Sequence, residues 1–500
     1  MNPFKQLAGQ TAIYGMSSIL GRLLNYLLVP VYTRVLAPGE YGDFSVMFSY
    51  VGILIVIVTY GMETAYFRYA AKYGNNSNVY SSTFWSVFVT SALFIVLTQC
   101  FASPLALLID YADHPEYVRW FGWVIGIDAL TSIPFAYLRQ MGKAKKFAIV
   151  RLVNIAIFVL CNLFFIVLSP YIMNKGGDSL LKPLIGAFFN EKKLVSYVFI
   201  SNVISSASML LLLFPEILKG FGKFDVMIWK KLMTFAIPML FVGLSGNINE
   251  NIDRLMLRYM LPAGIAEAQV GIYSACYKIS ILMALFTQAY RYAAEPFFFN
   301  YAKEKDSKTV YATLLNYFVI IVCALFLLTM LFLDVIIIII GQEYREGQTV
   351  IPILMMALLF LGVYYNLSIW YKLSDKTIYG AIISFIGAAI TIIVNLITIP
   401  FFGFIGSAWA TLACYTSMMV ISYFWGQKHF AVNYNIKKFC IYTGSALLIY
   451  FASSLFGQLN LYIRLAINVF LFFLFVLIAC RVEKISPMAV LRKMLAREHR

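Results

Sequence analysis

Stretches of about 20 apolar residues, long enough to cross the hydrocarbon core of a bilayer as helices, recur fourteen times along this chain and leave little room for anything else. They lie near 8–32, 43–66, 79–103, 117–138, 147–169, 194–214, 231–255, 270–292, 309–332, 348–371, 378–400, 404–425, 437–456 and 461–480. Composition agrees: 61% of the 500 residues are hydrophobic and only 12% are charged, about half the charge of an ordinary soluble domain. No connection between the stretches is long enough for a water-soluble domain. The longest, 170–193, holds an amphipathic piece at 180–193 that suits the membrane surface. The first stretch carries Arg22 and Asn25, reaches full spanning length, and is read as part of the fold and not as a cleaved signal. The expected fold class is an all-α polytopic membrane protein of about 14 transmembrane helices.

The formal net charge of +16 comes from 39 lysines and arginines against 23 acids. With the N-terminus inside, 27 of those 39 cations fall in cytoplasmic segments and ten on the opposite side. That asymmetry is the positive-inside pattern. It favours an even number of spans with both termini cytoplasmic, and it accounts for the basic balance without nucleic acid as a partner. The seven cysteines lie singly in apolar runs with no CxxC pair, and the three histidines are far apart, which argues against a disulfide framework or a zinc site. No GxxxxGK[ST] phosphate loop is present, and no exterior loop carries paired acids. No enzymatic chemistry and no cofactor are expected, and the remaining source of energy is an ion gradient (of protons or sodium), the membrane potential or the substrate's own gradient.

The sequence also repeats itself. TRVLAP (33–38) resembles LRYMLP (257–262), YGDFS (41–45) resembles VGIYS (270–274), and ETAYFRYA (63–70) resembles EPFFFNYA (295–302), at offsets of 224, 229 and 232. YLRQMGK (137–143) then resembles WYKLSDK (370–376), and Asn162 aligns with Asn395, both at 233. Two copies of six spans follow: an N-lobe at 1–215 and a C-lobe at 216–430, with spans thirteen and fourteen appended at 431–481 and a basic cytoplasmic tail at 482–500. Because six is even, both copies run in the same sense. They should be related by a pseudo-twofold axis along the membrane normal, enclosing a central cleft in which alternating access by rocking is possible.

Ionisable groups at membrane depth are costly and mark sites by default. Arg22 lies about 20–25 Å up the first span, on one polar stripe with Gly15, Ser18 and Asn25. Lys278 lies about 12 Å in from the outer end of span eight. One cation from each half at similar depth suits a multiply charged anion such as phosphate or pyrophosphate, so Arg22, Asn25 and Lys278 are the candidate substrate contacts. Asp128 is the clear carboxylate near mid-depth. It either binds a coupling proton or sodium, or pairs with a buried cation. Opposite charges at the two mouths are candidate gates: Arg34, Asp43, Asp253 and Arg258 outside, and Glu63, Arg68, Arg291 and Glu295 inside.

Three segments carry a family resemblance that covers nearly the whole chain: LAGQTAIYGMSSILGRLLNYLLVPVYTRVLAPGEYGDFS (7–45), IDRLMLRYML…VGIYSACYKI (252–279) and VNLITIPFFGFIGSAWATL (394–412). They resemble the Wzx-type polysaccharide flippases of the O-antigen and capsule pathways, within the multidrug/oligosaccharidyl-lipid/polysaccharide exporter superfamily. The resemblance implies transfer of an undecaprenyl-pyrophosphate-linked oligosaccharide from the inner to the outer leaflet of a bacterial inner membrane, with Arg22 matching the family's first-helix arginine. It also implies membrane lipids as surroundings, and the polymerase and glycosyltransferases of the same pathway as partners. Two alternatives remain on the same scaffold: a cation-coupled multidrug antiporter and a peptidoglycan lipid-precursor flippase. Which glycan is carried and which ion drives the step are not legible.

Overall fold

The computed structural model describes residues 20–484 except 22, 25, 74–76, 176–181, 303, 305 and 375. Arg22, Asn25 and most of the first span therefore lie outside the described residues. Among the described residues every regular element is helical, and twelve helices are long and apolar enough to cross a membrane. The chain is an all-α polytopic protein, as its apolar periodicity demanded. Span thirteen is the helix Ile436–Ser454, 19 residues long. It is not among the twelve, and its first turn holds Lys437 and Lys438.

The elements used below are α1 Val29–Val35, α2 Pro38–Thr59, α3 Met62–Tyr73, α4 Ser77–Cys100, α5 Pro115–Gln140, α6 Ala144–Asn162 and α7 Leu194–Leu212. They continue with α8 Val226–Met260, α9 Ala266–Tyr301, α10 Ser307–Leu331, α11 Val350–Leu367, α12 Thr377–Phe402, α13 Phe404–His429, α14 Ile436–Ser454 and α15 Leu461–Val482. Local chemistry sets their ends. Proline opens α2 and α5, where its fixed φ suits a first turn and its missing N–H costs nothing. Asp225 caps α8 by accepting from the backbone N–H of Met227 at 2.9 Å and of Ile228 at 3.1 Å.

Span two differs from the expected single helix. Tyr60 (φ 35°) and Gly61 (φ 77°) are consecutive left-handed residues that end α2 and start α3. A left-handed tyrosine costs about 1–2 kcal/mol; here its hydroxyl shares a 2.5 Å hydrogen bond with Ser86 Oγ. Gly61 is dictated by space as well, since a Cβ there would lie 2.7 Å from the Ala236 carbonyl oxygen.

Contacts divide the chain into two compact units, one of residues 1–275 with 391–407 and one of 276–390 with 408–500. The units are defined by contact and the repeat by sequence, and the two divisions do not coincide: α8, from the second repeat, packs along α2 of the first inside one unit. Gly52 of α2 sits in that packing, where a Cβ would lie 2.9 Å from the Asn251 side-chain amide nitrogen of α8. Small residues are what let helices approach where hydrocarbon removes the hydrophobic drive. In the other unit, α14 and α15 are tied to α10 by Asn468, which accepts from Ser453 Oγ at 2.7 Å and donates to the Leu331 carbonyl at 2.6 Å.

The far end of that helix pair is held by Glu483, just beyond α15, which accepts from Lys438 Nζ at 2.7 Å and from the Tyr442 hydroxyl at 2.5 Å. Partial burial opposes ionisation of Glu483, but these two donors and the Lys438 charge outweigh it and hold the carboxyl below its usual range. A carboxylate depressed on folding adds stability above its unfolded pKa, and that stability is lost as pH falls through the depressed value. Thermal scans of the detergent-solubilised protein should therefore show an acid-side loss that Glu483→Gln diminishes. An identical acid limb in the variant would count against the tie.

Candidate functional site

Five helices of the first unit, α2 with Ile55 and Thr59 and then α3, α5, α6 and α7, line a common cavity of about 440 Å³. The spacing explains which residues meet there. Asp128, Thr131, Ser132, Phe135 and Arg139 recur every three or four residues on α5, so they share one face. Phe147, Arg151 and Asn154 do the same on α6, and Asn202, Ser206 and Met209 on α7. Glu63 of α3 closes one end.

Asp128 sits midway along the 26 residues of α5. Its carboxylate accepts from Ser206 Oγ at 2.7 Å. Arg151 lies about 10 Å into α6, with its guanidinium 4.5 Å from the Phe135 ring centre. Its charge acts on Asp128 with no ion pair between the two. Asp128 therefore faces one hydroxyl donor, Ser206, and a cation, Arg151, that lines the same cavity. Asn154 donates to both the carbonyl and the hydroxyl of Ser205, at 2.8 and 2.6 Å, which fixes α6 against α7 beside the cavity.

Arg151, Asn154, Asn202 and Ser206 are not among the residues singled out from sequence. Helix α6 starts at Ala144, three residues before the expected span, so Arg151 is two turns inside the helix. The available signal was periodicity, with Asn202 and Ser206 four apart and Arg151 and Asn154 three apart.

The inner candidate gates have partners the sequence did not supply. Glu63 pairs with Arg139 of α5, and Glu295 pairs with Lys372 and, at 3.8 Å, with Arg291. The pairs Glu63–Arg139 and Glu295–Lys372 occupy equivalent places in the two repeats, at offsets of 232 and 233. Each lies within one compact unit, where it braces helices of the same copy. Arg68 instead stacks over Phe235 at 4.3 Å, and Arg291 over Tyr365 at 4.1 Å. Reversing one charge, as in Glu63→Arg, should lower protein yield and midpoint temperature by the equivalent of about 1 kcal/mol after allowance for screening of a partly exposed pair. Glu63→Arg with Arg139→Glu should recover most of it. Failure of the double variant to recover would remove the brace.

The outer candidates divide differently. Arg258, largely buried, donates to Glu267 at 2.5 Å and to Asp110 at 3.0 Å. Asp43 accepts from the Tyr111 hydroxyl at 2.8 Å. Burial, then the Asp43 charge, pushes the Tyr111 phenol far above its usual value, so it remains a donor throughout the physiological range. Asp253 pairs with Arg254 at 3.0 Å and accepts from Tyr273 at 2.6 Å. These residues form one cluster in the first unit, which joins the 109–111 connection to the end of α8. Arg34 is exposed at the end of α1. Lys278 is half-buried about 18 Å along α9, which begins at Ala266.

Known proteins place this architecture. The fold is similar to that of a lipid II flippase, MurJ, in an inward-closed conformation, with a TM-score of 0.70 at 14% identity over 94% of this chain and 99% of that one. It is also similar to an inward-facing multidrug resistance MATE family transporter of the MOP superfamily, at a TM-score of 0.64 and 14% identity over 81% of this chain and 94% of that one. A MATE transporter from Vibrio cholerae gives 0.58 at 13% identity, over 86% and 98%. No curated protein matches the sequence. At such identities the likeness shows a shared fold, that of membrane transporters. The sequence itself matches the family described as polysaccharide biosynthesis protein over residues 7–302, more than half of its length, and the chain belongs to that family.

Proposed function

We propose that this protein is a flippase that moves an undecaprenyl-pyrophosphate-linked oligosaccharide from the inner to the outer leaflet of a bacterial inner membrane by alternating access. The observation that carries the reading is membership of a polysaccharide biosynthesis family by a chain with the fold of membrane transporters. A family whose product is a polymer of sugars and a fold whose work is transport leave the lipid-linked repeat unit as the natural cargo. Its oligosaccharide head is too polar to cross hydrocarbon unaided, since each uncompensated polar group costs several kcal/mol there.

In this reading Arg22, Asn25 and Lys278 contact the pyrophosphate, and the 1–215 and 216–430 copies are the two moving lobes. Asp128 takes up the coupling ion. It has one hydroxyl donor and shares its cavity with the Arg151 cation, so binding of a proton changes the charge balance of the cavity by a full unit. The inner pairs brace their own lobes, and the outer cluster around Arg258 is the gate. Both termini are cytoplasmic, the pathway's polymerase and glycosyltransferases are partners, and the chain does no bond-making of its own.

Purified protein in proteoliposomes, offered a lipid-linked oligosaccharide, a peptidoglycan lipid precursor and a cationic drug in parallel, should move the first fastest. The second cargo is the specific rival, favoured by the likeness to a lipid II flippase. Transport of the precursor or the drug, with none of the oligosaccharide, would overturn the assignment.

A further inference from the structure

Two glycines that the repeat makes equivalent cross each other at the outer end of the first unit. Gly42 in α2 corresponds to Gly271 in α9, 229 positions later. A Cβ on Gly42 would overlap the backbone carbonyl of Glu267, and a Cβ on Gly271 would overlap the backbone carbonyl of Pro38. Pro38 and Glu267 are themselves 229 positions apart. Each copy therefore makes the same glycine-to-backbone contact with the other, which is what two helices do when they cross on a twofold axis. The Gly271 Cβ would also stand 3.0 Å from the Gly42 amide nitrogen, so the two glycines face each other directly.

Around this crossing lie contacts that are polar and reversible. Arg258 reaches Asp110 in the first copy and Glu267 in its own. The hydroxyls of Tyr50 and Tyr259 are 2.5 Å apart, and Tyr259 donates to the Ile109 carbonyl at 2.9 Å. Backbone-to-backbone packing needs glycine only while the helices touch, and side-chain ion pairs can break without leaving apolar surface unmatched.

We infer that the Gly42–Gly271 crossing is the closed outer gate, a backbone lock on the pseudo-twofold axis that must separate once per transport cycle, with Arg258 as its clasp. This rests on reading the chain as an alternating-access transporter. The lock has no room for any side chain at either glycine. A single methyl should therefore favour the separated state, whereas a methyl at Gly246 of α8, which would meet nothing within 4 Å, should have no effect.

A disulfide can test the lock directly. A Cβ on Gly39 would lie 3.7 Å from the Glu267 Cβ, inside the range a disulfide spans. In a background with the seven native cysteines replaced by serine, Gly39→Cys with Glu267→Cys should cross-link on mild oxidation. The oxidised protein should lose at least tenfold of the export shown by the same variant when reduced. Adding Gly42→Ala or Gly271→Ala should lower the cross-linking rate at least fivefold, while Gly246→Ala leaves it unchanged. Absence of the cross-link would overturn the proposal. So would full transport by the oxidised protein, or Ala variants that cross-link at the parent rate. If the disulfide forms and the Ala variants slow it, but the unmodified protein moves no lipid-linked oligosaccharide, the lock stands and the cargo assignment falls.

Discussion

Asp128→Asn should uncouple the transporter. The substitution keeps the shape of the side chain and its bond from Ser206 Oγ but removes the charge that a proton or sodium ion would neutralise. If Asp128 is where the driving ion binds, export under a gradient should fall about tenfold or more, equivalent to about 1.4 kcal/mol added to the activation barrier. What remains should no longer respond to external pH or sodium. Protein amount should be little changed, because the cavity is already polar and Arg151 still has the Phe135 ring beneath it. The decisive measurement is the ion response and not the rate. A slow variant with the parent's pH and sodium dependence would show that Asp128 shapes the cavity and that coupling lies elsewhere. Arg151→Met makes the complementary test: removing the cation should shift the pH at which transport is half-maximal, which a purely structural arginine would not do.

Arg22→Ala should reduce export to background with topology and protein level intact. The reasoning is electrostatic. On the proposed reading, the sequence puts the Arg22 guanidinium some 20–25 Å up the first span, and a pyrophosphate would compensate it through charge-assisted hydrogen bonds worth about 1.5–3 kcal/mol each. Losing them predicts a fall of roughly ten- to a hundredfold or more in the rate at limiting substrate. Arg22→Lys should restore part of the rate, since a lysine keeps the charge but not the paired geometry. Near-parent export by Arg22→Ala would remove it from the site, and equal defects in the Ala and Lys variants would mean that its role is packing.

The membrane architecture was legible because it depends on one-dimensional quantities. Apolar run length marks which helices are long enough to cross, and the 224–233 offset exposes the repeat in the sequence, while the distribution of lysine and arginine gives only an expected sidedness. Asp128 could be named in advance for the same reason, as a carboxylate at mid-depth in a run with no other acid. Its surroundings could not. Ser206 lies 78 residues away and Arg151 on the next helix, and only the packing of α5 against α6 and α7 brings three weakly polar faces into one cavity.

The gates show the boundary most clearly. Sequence supplied the charges at both mouths but did not assign their partners: Glu63 was named a gate charge with no partner chosen, and the fold gives it Arg139. An ion pair between helices is chosen by helix rotation and crossing angle, and neither is a property of local sequence. The Gly42–Gly271 crossing has the same origin. The alignment of YGDFS with VGIYS shows that two glycines are equivalent, but contact between them requires that α2 and α9 meet at that point. Run length, charge asymmetry and repetition are written along the chain and survive without a structure. Partner choice, cavity lining and backbone contact exist only between segments, where close packing decides which residues share a space.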